Sequence, residues 1–248
     1  MHITLYHTHP SLYRDVAQLF IDSLRNNPKT VWGLATGSTP IEIYKHLVAH
    51  YQKDAFDTRF LTTFNLDEYV GLSASSDQSY AHFMSRHLWD ALNLQPNQRH
   101  IPNGLASDLV SECERYETLI LEHPIHIQLL GIGSNGHIAF NEPGTPFDSK
   151  THVVTLDSKT RMDNARFFDA LHSVPHQAIT MGISTIMKAQ KIVLVATGQN
   201  KAKAIQAMLE GPISESCPAS ILRNHPNLFI YLDDKAASLL NTHLLNRG

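Results

Sequence analysis

Cysteine is nearly missing from this chain: Cys113 and Cys217 are too few for a disulfide framework, which points to a reduced setting. Met1 to Pro10 lacks the basic start and apolar stretch of a signal peptide, and no apolar run approaches the roughly 20 residues that cross a bilayer. A cytoplasmic protein is therefore expected. Charge is also sparse, 17% of residues with a formal net charge of −3, so there is no general attraction to nucleic acid or to a membrane surface. Hydrophobic residues at 42% exclude disorder and leave small-molecule chemistry as the natural expectation. No internal repeat and no Ser/Gly/Pro-rich linker divides the sequence, so its 248 residues are expected to form a single domain, 1–248.

What is present is an alternation of two periods. Short β-rich runs occur at Ile3–Tyr6, Val31–Ala35, Leu61–Asn65, Ile125–Gly131, Val153–Leu156, Lys191–Ala196 and Leu228–Leu232, most of them apolar enough for central strands. Helical patterns fill the gaps at Ser11–Asn26, Pro40–Tyr51, Ser79–Leu92, Ser107–Glu122, Ser158–Leu171, Asn200–Leu209 and Asp233–Leu245, several opening on Ser, Thr or Asp. Strand then helix, repeated, predicts an α/β fold of three αβα layers: a Rossmann-like, mostly parallel sheet with helices on both faces. In such sheets the ligand crevice lies beyond the carboxyl ends of the strands.

Four strand-leaving turns carry chemistry. Ala35-Thr36-Gly37-Ser38-Thr39-Pro40 runs into a helix, so free N–H groups, the positive dipole end and hydroxyls suit a phosphate. It reads equally as a plain turn capped by Thr39, and it lacks the lysine of a Walker loop. Asp67 and Glu68 follow an apolar strand; neighbours on extended backbone face opposite ways, so one reaches the crevice while the other orders the loop, or both merely solvate the turn. Leu129 to Pro143 sends an apolar strand into a glycine-rich turn with Asn135, His137 and Glu142, an imidazole and a carboxylate suited to proton transfer. Thr197-Gly198-Gln199-Asn200-Lys201 opens a helix with a cation in its first turn, a placement that an adjacent anion explains but that solvation also permits.

Five strings, Leu34 to Pro40, Phe64 to Leu72, Gly131 to Pro143, Asn164 to Phe168 and Ala178 to Gly182, together resemble the glucosamine-6-phosphate deaminase family (the glucosamine/galactosamine-6-phosphate isomerases) over nearly the full chain. The resemblance implies conversion of glucosamine 6-phosphate and water to fructose 6-phosphate and ammonia, without an organic cofactor. It implies that Gly37, Ser38, Thr39, Arg166 and Lys201 bind the phosphate, that Asp67 is the general base, and that His137 opens the sugar ring with Glu142 tuning it. Glu68 falls among the substrate-side residues in a less direct role beside the base. A lid at about 151–176 is implied, delivering Arg166 as it closes.

Two departures from that family stand out. Asn135 stands where some members carry an aspartate; it orients the imidazole by hydrogen bonding but brings no negative charge. His152 and Val154 occupy places where allosterically activated hexameric members carry basic residues, and the sequence ends at Gly248, so an unregulated monomer or low-order homo-oligomer is expected. Metal ligation is not expected: His46 and His50 have i, i+4 spacing, but no glutamate follows His46 and no third ligand is apparent. Two rivals remain open, a 6-phosphogluconolactonase-like hydrolase with a similar glycine-rich turn and a sugar-phosphate sensor that binds without turnover.

Overall fold

The structure, a computed structural model, describes residues 1–54, 56–157, 161–162 and 174–241. Its main sheet is built from β1 (His2–Tyr6), β2 (Val31–Leu34), β3 (Thr62–Asn65), β5 (Arg99–His100), β6 (Ile127–Leu130), β9 (Ile192–Ala196) and β10 (Leu228–Asp233). The spatial order is β1-β10-β9-β6-β2-β3-β5, and every pairing is parallel. Residues of β2, β6 and β9 are buried throughout, as strands covered on both faces must be. The covering helices are α1 (His9–Asn26), α2 (Ser38–Asp54), α3 (Tyr80–Met84, continuing as a π-helical turn over Ser85–Trp89), α4 (Leu109–Glu122), the short α5 (Ile183–Ile186) and α6 (Ala202–Glu210). The expected three-layer α/β fold is the one observed.

Chain order reverses between β2 and β6. From β2 the chain moves outward through β3 to β5, then returns to β6 and proceeds the other way through β9 and β10. That switch point leaves the loops after β2 and β6 diverging over an open crevice, which is where α/β sheets hold ligands. Two buried tyrosines pin the strand ends beside it. The Tyr44 hydroxyl donates to the Ala35 carbonyl at 2.6 Å, and the Tyr116 hydroxyl donates to the Asn65 carbonyl at 2.7 Å, so the backbone entering each loop is fixed from the helix layers.

Several expected elements are corrected. Val153–Leu156 was expected as a central strand; instead β7 (His152–Thr155) is half-exposed and belongs to a separate antiparallel sheet, ordered β4-β8-β7, with β4 (Asp67–Tyr69) and β8 (Gln177–Thr180). Those two partners and β5 are too short for their own alternation to reveal them. Asp233–Leu245 is not a helix from its start: Asp233 ends β10 and residues 234–239 form turns, while 242–248 lie outside the described residues. Most of the expected helix Ser158–Leu171, including Arg166, also lies outside them. Helix α2 begins at Ser38, two residues before Pro40, which puts Thr39 within its first turn.

Candidate active site

A cavity of about 820 Å³ opens at the switch point, and its walls include Gly37, Ser38, Thr39, Asp67, His137 and Lys201. All four chemically suggestive turns therefore meet in one space. The turn after β2 brings the N-terminal end of α2, whose first amides have no intrahelical partner and whose dipole favours an anion. Gly37 has φ +113°, a left-handed conformation that a side chain would strain, and nothing crowds the space where a Cβ would stand. The backbone conformation, not close packing, is what calls for glycine there.

Lys201 reaches the same cavity from the turn after β9, where the 3₁₀ segment Gln199–Lys201 precedes α6. Asp233 holds that turn: its carboxylate oxygens each accept from the Gly198 N–H at 3.0 Å, and it also takes the Ala236 N–H at 2.7 Å and His9 Nε2 at 2.8 Å. Burial opposes its charge, yet the hydrogen bonds from Ala236, His9 and Gly198 win and hold the carboxyl below its ordinary range. This role for Asp233 is invisible in the sequence, because only the tertiary pairing of β9 with β10 sets it beside Gly198.

Asp67 and Glu68 do opposite work. Asp67 faces the cavity, 7% exposed, and burial followed by the like charge of Glu68 raises its carboxyl to about 8. Glu68, placed with the substrate-side residues from the sequence, is absent from the cavity wall. Its carboxylate ties its own strand to the start of α3, accepting from the N–H group of Tyr69 in β4 at 2.8 Å and from those of Tyr80 at 3.0 Å and Ala81 at 2.9 Å in the helix. Burial nevertheless pushes Glu68 upward, against those bonds.

The turn after β6 presents His137 to the cavity, with Asn135 and Glu142 behind it. Glu142 Oε2 lies 3.3 Å from His137 Nδ1 and accepts from Asn135 Nδ2 at 2.6 Å, while Asn135 Oδ1 accepts from the His137 N–H at 3.2 Å. One carboxylate thus contacts both neighbouring side chains, and the bond from the His137 backbone N–H to the Asn135 amide oxygen closes the relay through the main chain. The imidazole lies so close to Gly133 that a Cβ there would stand 2.4 Å from ring atoms Cε1 and Nε2. Gly133→Ala is expected to displace the ring and lower kcat about 10²-fold with the fold intact; unchanged turnover in a variant with parental circular dichroism would overturn this reading.

Sequence reasoning overlooked the α3 side of the wall. Tyr80 lines the cavity and shares a 3.2 Å hydroxyl contact with Tyr69, and burial lifts its phenol well above the ordinary value. The Ser79 cap of α3, accepting from the His82 N–H at 3.0 Å, was the available signal, but nothing local showed that this helix start faces the crevice. Among the described residues no three His, Cys, Asp or Glu side chains cluster as metal ligands, and no helix is long and apolar enough to cross a membrane.

Residues 7–230 match the sequence profile of the glucosamine-6-phosphate isomerases/6-phosphogluconolactonase family. The chain belongs to that family. Within it, the chain is 53% identical over 216 residues to a glucosamine-6-phosphate deaminase of Exiguobacterium sibiricum, covering 87% of this chain and 83% of that one. It is 52% identical over 223 residues to one from Streptococcus pyogenes, covering 90% and 92%. A solved monomeric glucosamine-6-phosphate deaminase superposes with TM-score 0.94 at 44% identity, covering 96% of this chain and all of the other. The 6-phosphogluconolactonase from Trypanosoma cruzi matches at TM-score 0.78 but only 20% identity, over 97% of each chain, a likeness of fold alone.

Proposed function

We propose that this family member converts glucosamine 6-phosphate and water to fructose 6-phosphate and ammonia. The observation that carries the reading is one cavity whose walls include an anion-binding helix start, a buried carboxyl and an imidazole backed by a carboxylate. Gly37, Ser38, Thr39 and Lys201 grip the phosphate, and by the family resemblance Arg166, from the proposed lid at about 151–176, adds a second charge. Held by that remote group, the sugar presents C1 and C2 to the reacting side chains. His137 moves protons at the ring oxygen and the anomeric hydroxyl, opening the ring, with Glu142 and Asn135 fixing its orientation. Asp67 takes the C2 proton and returns it to C1. The carbonyl-level carbon thereby shifts to C2 as an imine, which water hydrolyses with loss of ammonia.

The deciding assay offers glucosamine 6-phosphate and 6-phosphogluconolactone side by side. Ammonia release from the first is expected; acid release from the second without ammonia would replace this reading with the lactonase one, and binding without turnover would favour the sensor. A single domain working in the cytoplasm as a monomer or low-order oligomer, without allosteric activation, belongs to the same proposal. The His152 and Val154 positions in β7 support it by offering no lysine or arginine for an effector anion.

The relay geometry makes Asn135 testable. An aspartate at that position would set a second carboxylate where the amide now donates at 2.6 Å to Glu142, so the pair is expected to retain a proton over a wider range. Asn135→Asp should accordingly shift the pH profile of kcat; superimposable acid and basic limbs for variant and parent would count against the relay.

A further inference from the structure

We infer that Asn141 is a positioning residue that fixes the loop bearing Asp67 against the loop bearing His137. Asn141 is fully buried, and its side-chain amide donates twice, to the Ile138 carbonyl at 3.0 Å and to the Met181 carbonyl at 2.9 Å. Ile138 is the neighbour of His137. Met181 in turn donates its N–H to the Leu66 carbonyl at 2.7 Å, and Leu66 is the neighbour of Asp67. One planar amide thus completes a short path of hydrogen bonds between the residues adjoining the two groups proposed to handle protons.

A second link runs parallel to it. The Thr180 hydroxyl accepts from the Phe140 N–H at 3.1 Å, and Thr180 is the register partner of Asp67 in the β4–β8 pairing. The turn so held is tight: Asn141 N–H returns to the Ile138 carbonyl at 3.0 Å, and Ala139 sits at φ +52°, a conformation that persists only where its surroundings impose it. Neither Asn141 nor Thr180 lines the cavity. Their effect on the reaction is therefore exerted through the placement of Asp67 and His137, whose tolerance for misplacement is small.

This inference rests on the deaminase reading for its kinetic arm, and a second arm is independent of it. Asn141→Leu keeps the branching at Cγ, with a somewhat larger side chain, and removes both donors. In the folded variant kcat is expected to fall about 30-fold while KM stays within about threefold of the parent, because the phosphate turn is untouched. The acid limb of kcat/KM is expected to move, since water reaches a displaced Asp67. Amide hydrogen exchange supplies the arm without substrate: protection should drop together in peptides spanning 64–69 and 137–142. Loosening of 137–142 with parental protection of 64–69 overturns the coupling whatever the enzyme does. Parental kcat and pH profile in a folded variant overturn it too, while leaving the deaminase reading intact. Absence of ammonia release by the parent removes that reading and leaves the exchange result to decide. If Asn141→Leu does not fold, Thr180→Val, which deletes the parallel acceptor, carries the same two measurements with a smaller expected loss of about fivefold in kcat.

Discussion

Asp67→Asn is expected to raise the thermal unfolding midpoint by about 5 °C at pH 8 while cutting kcat for ammonia release at least about 10³-fold. The two effects share one cause. Burial, reinforced by Glu68, lifts the Asp67 carboxyl from 3.8 to about 8 in the folded protein, so the native state holds a proton that the unfolded chain gives up at much lower pH. The parent therefore loses stability as pH climbs from about 4 to about 8, at about 1.4 kcal/mol per unit before relaxation and water entry soften it. An uncharged isostere escapes that cost. Below about pH 4 both forms are neutral at this position, and the two midpoints should converge. The retained strain is also the source of basicity: a carboxylate poised near neutral pH accepts a proton from carbon far better than one at 3.8, and kcat/KM of the parent should fall as pH drops below about 8. Melting curves for parent and variant at pH 4, 6 and 8 check the first half. A variant that is no more stable than the parent at pH 8 would mean that Asp67 is not destabilised by its surroundings.

Removing the neighbouring carboxylate works the other way. Glu68→Gln leaves one acceptor oxygen for the three N–H groups of Tyr69, Tyr80 and Ala81 and places its amide where only donors converge, so a loss of about 3 kcal/mol is expected. For a chain of this length that lowers the midpoint by about 10 °C. The same change strips the like charge from beside Asp67, and the acid limb of kcat/KM should shift downward. It should not reach the ordinary carboxylate range, because burial is the larger cause and remains. A midpoint equal to the parent's would deny the capping role, and an unmoved acid limb would deny the electrostatic one. Together, the paired results from Asp67 and Glu68 separate the group that bears the strain from the group that maintains it.

The comparison between adjacent residues shows what a single sequence can carry. Alternation along extended backbone required Asp67 and Glu68 to face opposite ways, and they do, but nothing local said which would face the cavity. The Gly133 to His137 turn was legible because glycine spacing is a local backbone demand, and its link to Glu142 spans only five positions. Asp233 was read as a helix start, since Asp before an apolar run is a good cap; the parallel pairing of β10 with β1 and β9 claimed it as a strand end instead. The small sheet β4-β8-β7 was missed except for one strand, because β4 and β8 have only three and four residues and pair with each other across more than a hundred positions, which leaves no period to detect.

Local periodicity and turn chemistry by themselves determined that this chain folds as an α/β sandwich with reactive loops at strand ends, for hydrophobic period and glycine placement are properties of neighbouring residues. Only the tertiary structure decided that the turns at 37, 67, 137 and 201 share one cavity, that Asp67 is the cavity-facing carboxyl and Glu68 the cap, and that Asn141 joins the two loops. Those facts depend on which strands lie side by side and on what burial does to a charge, and both are set by contacts between segments distant along the chain.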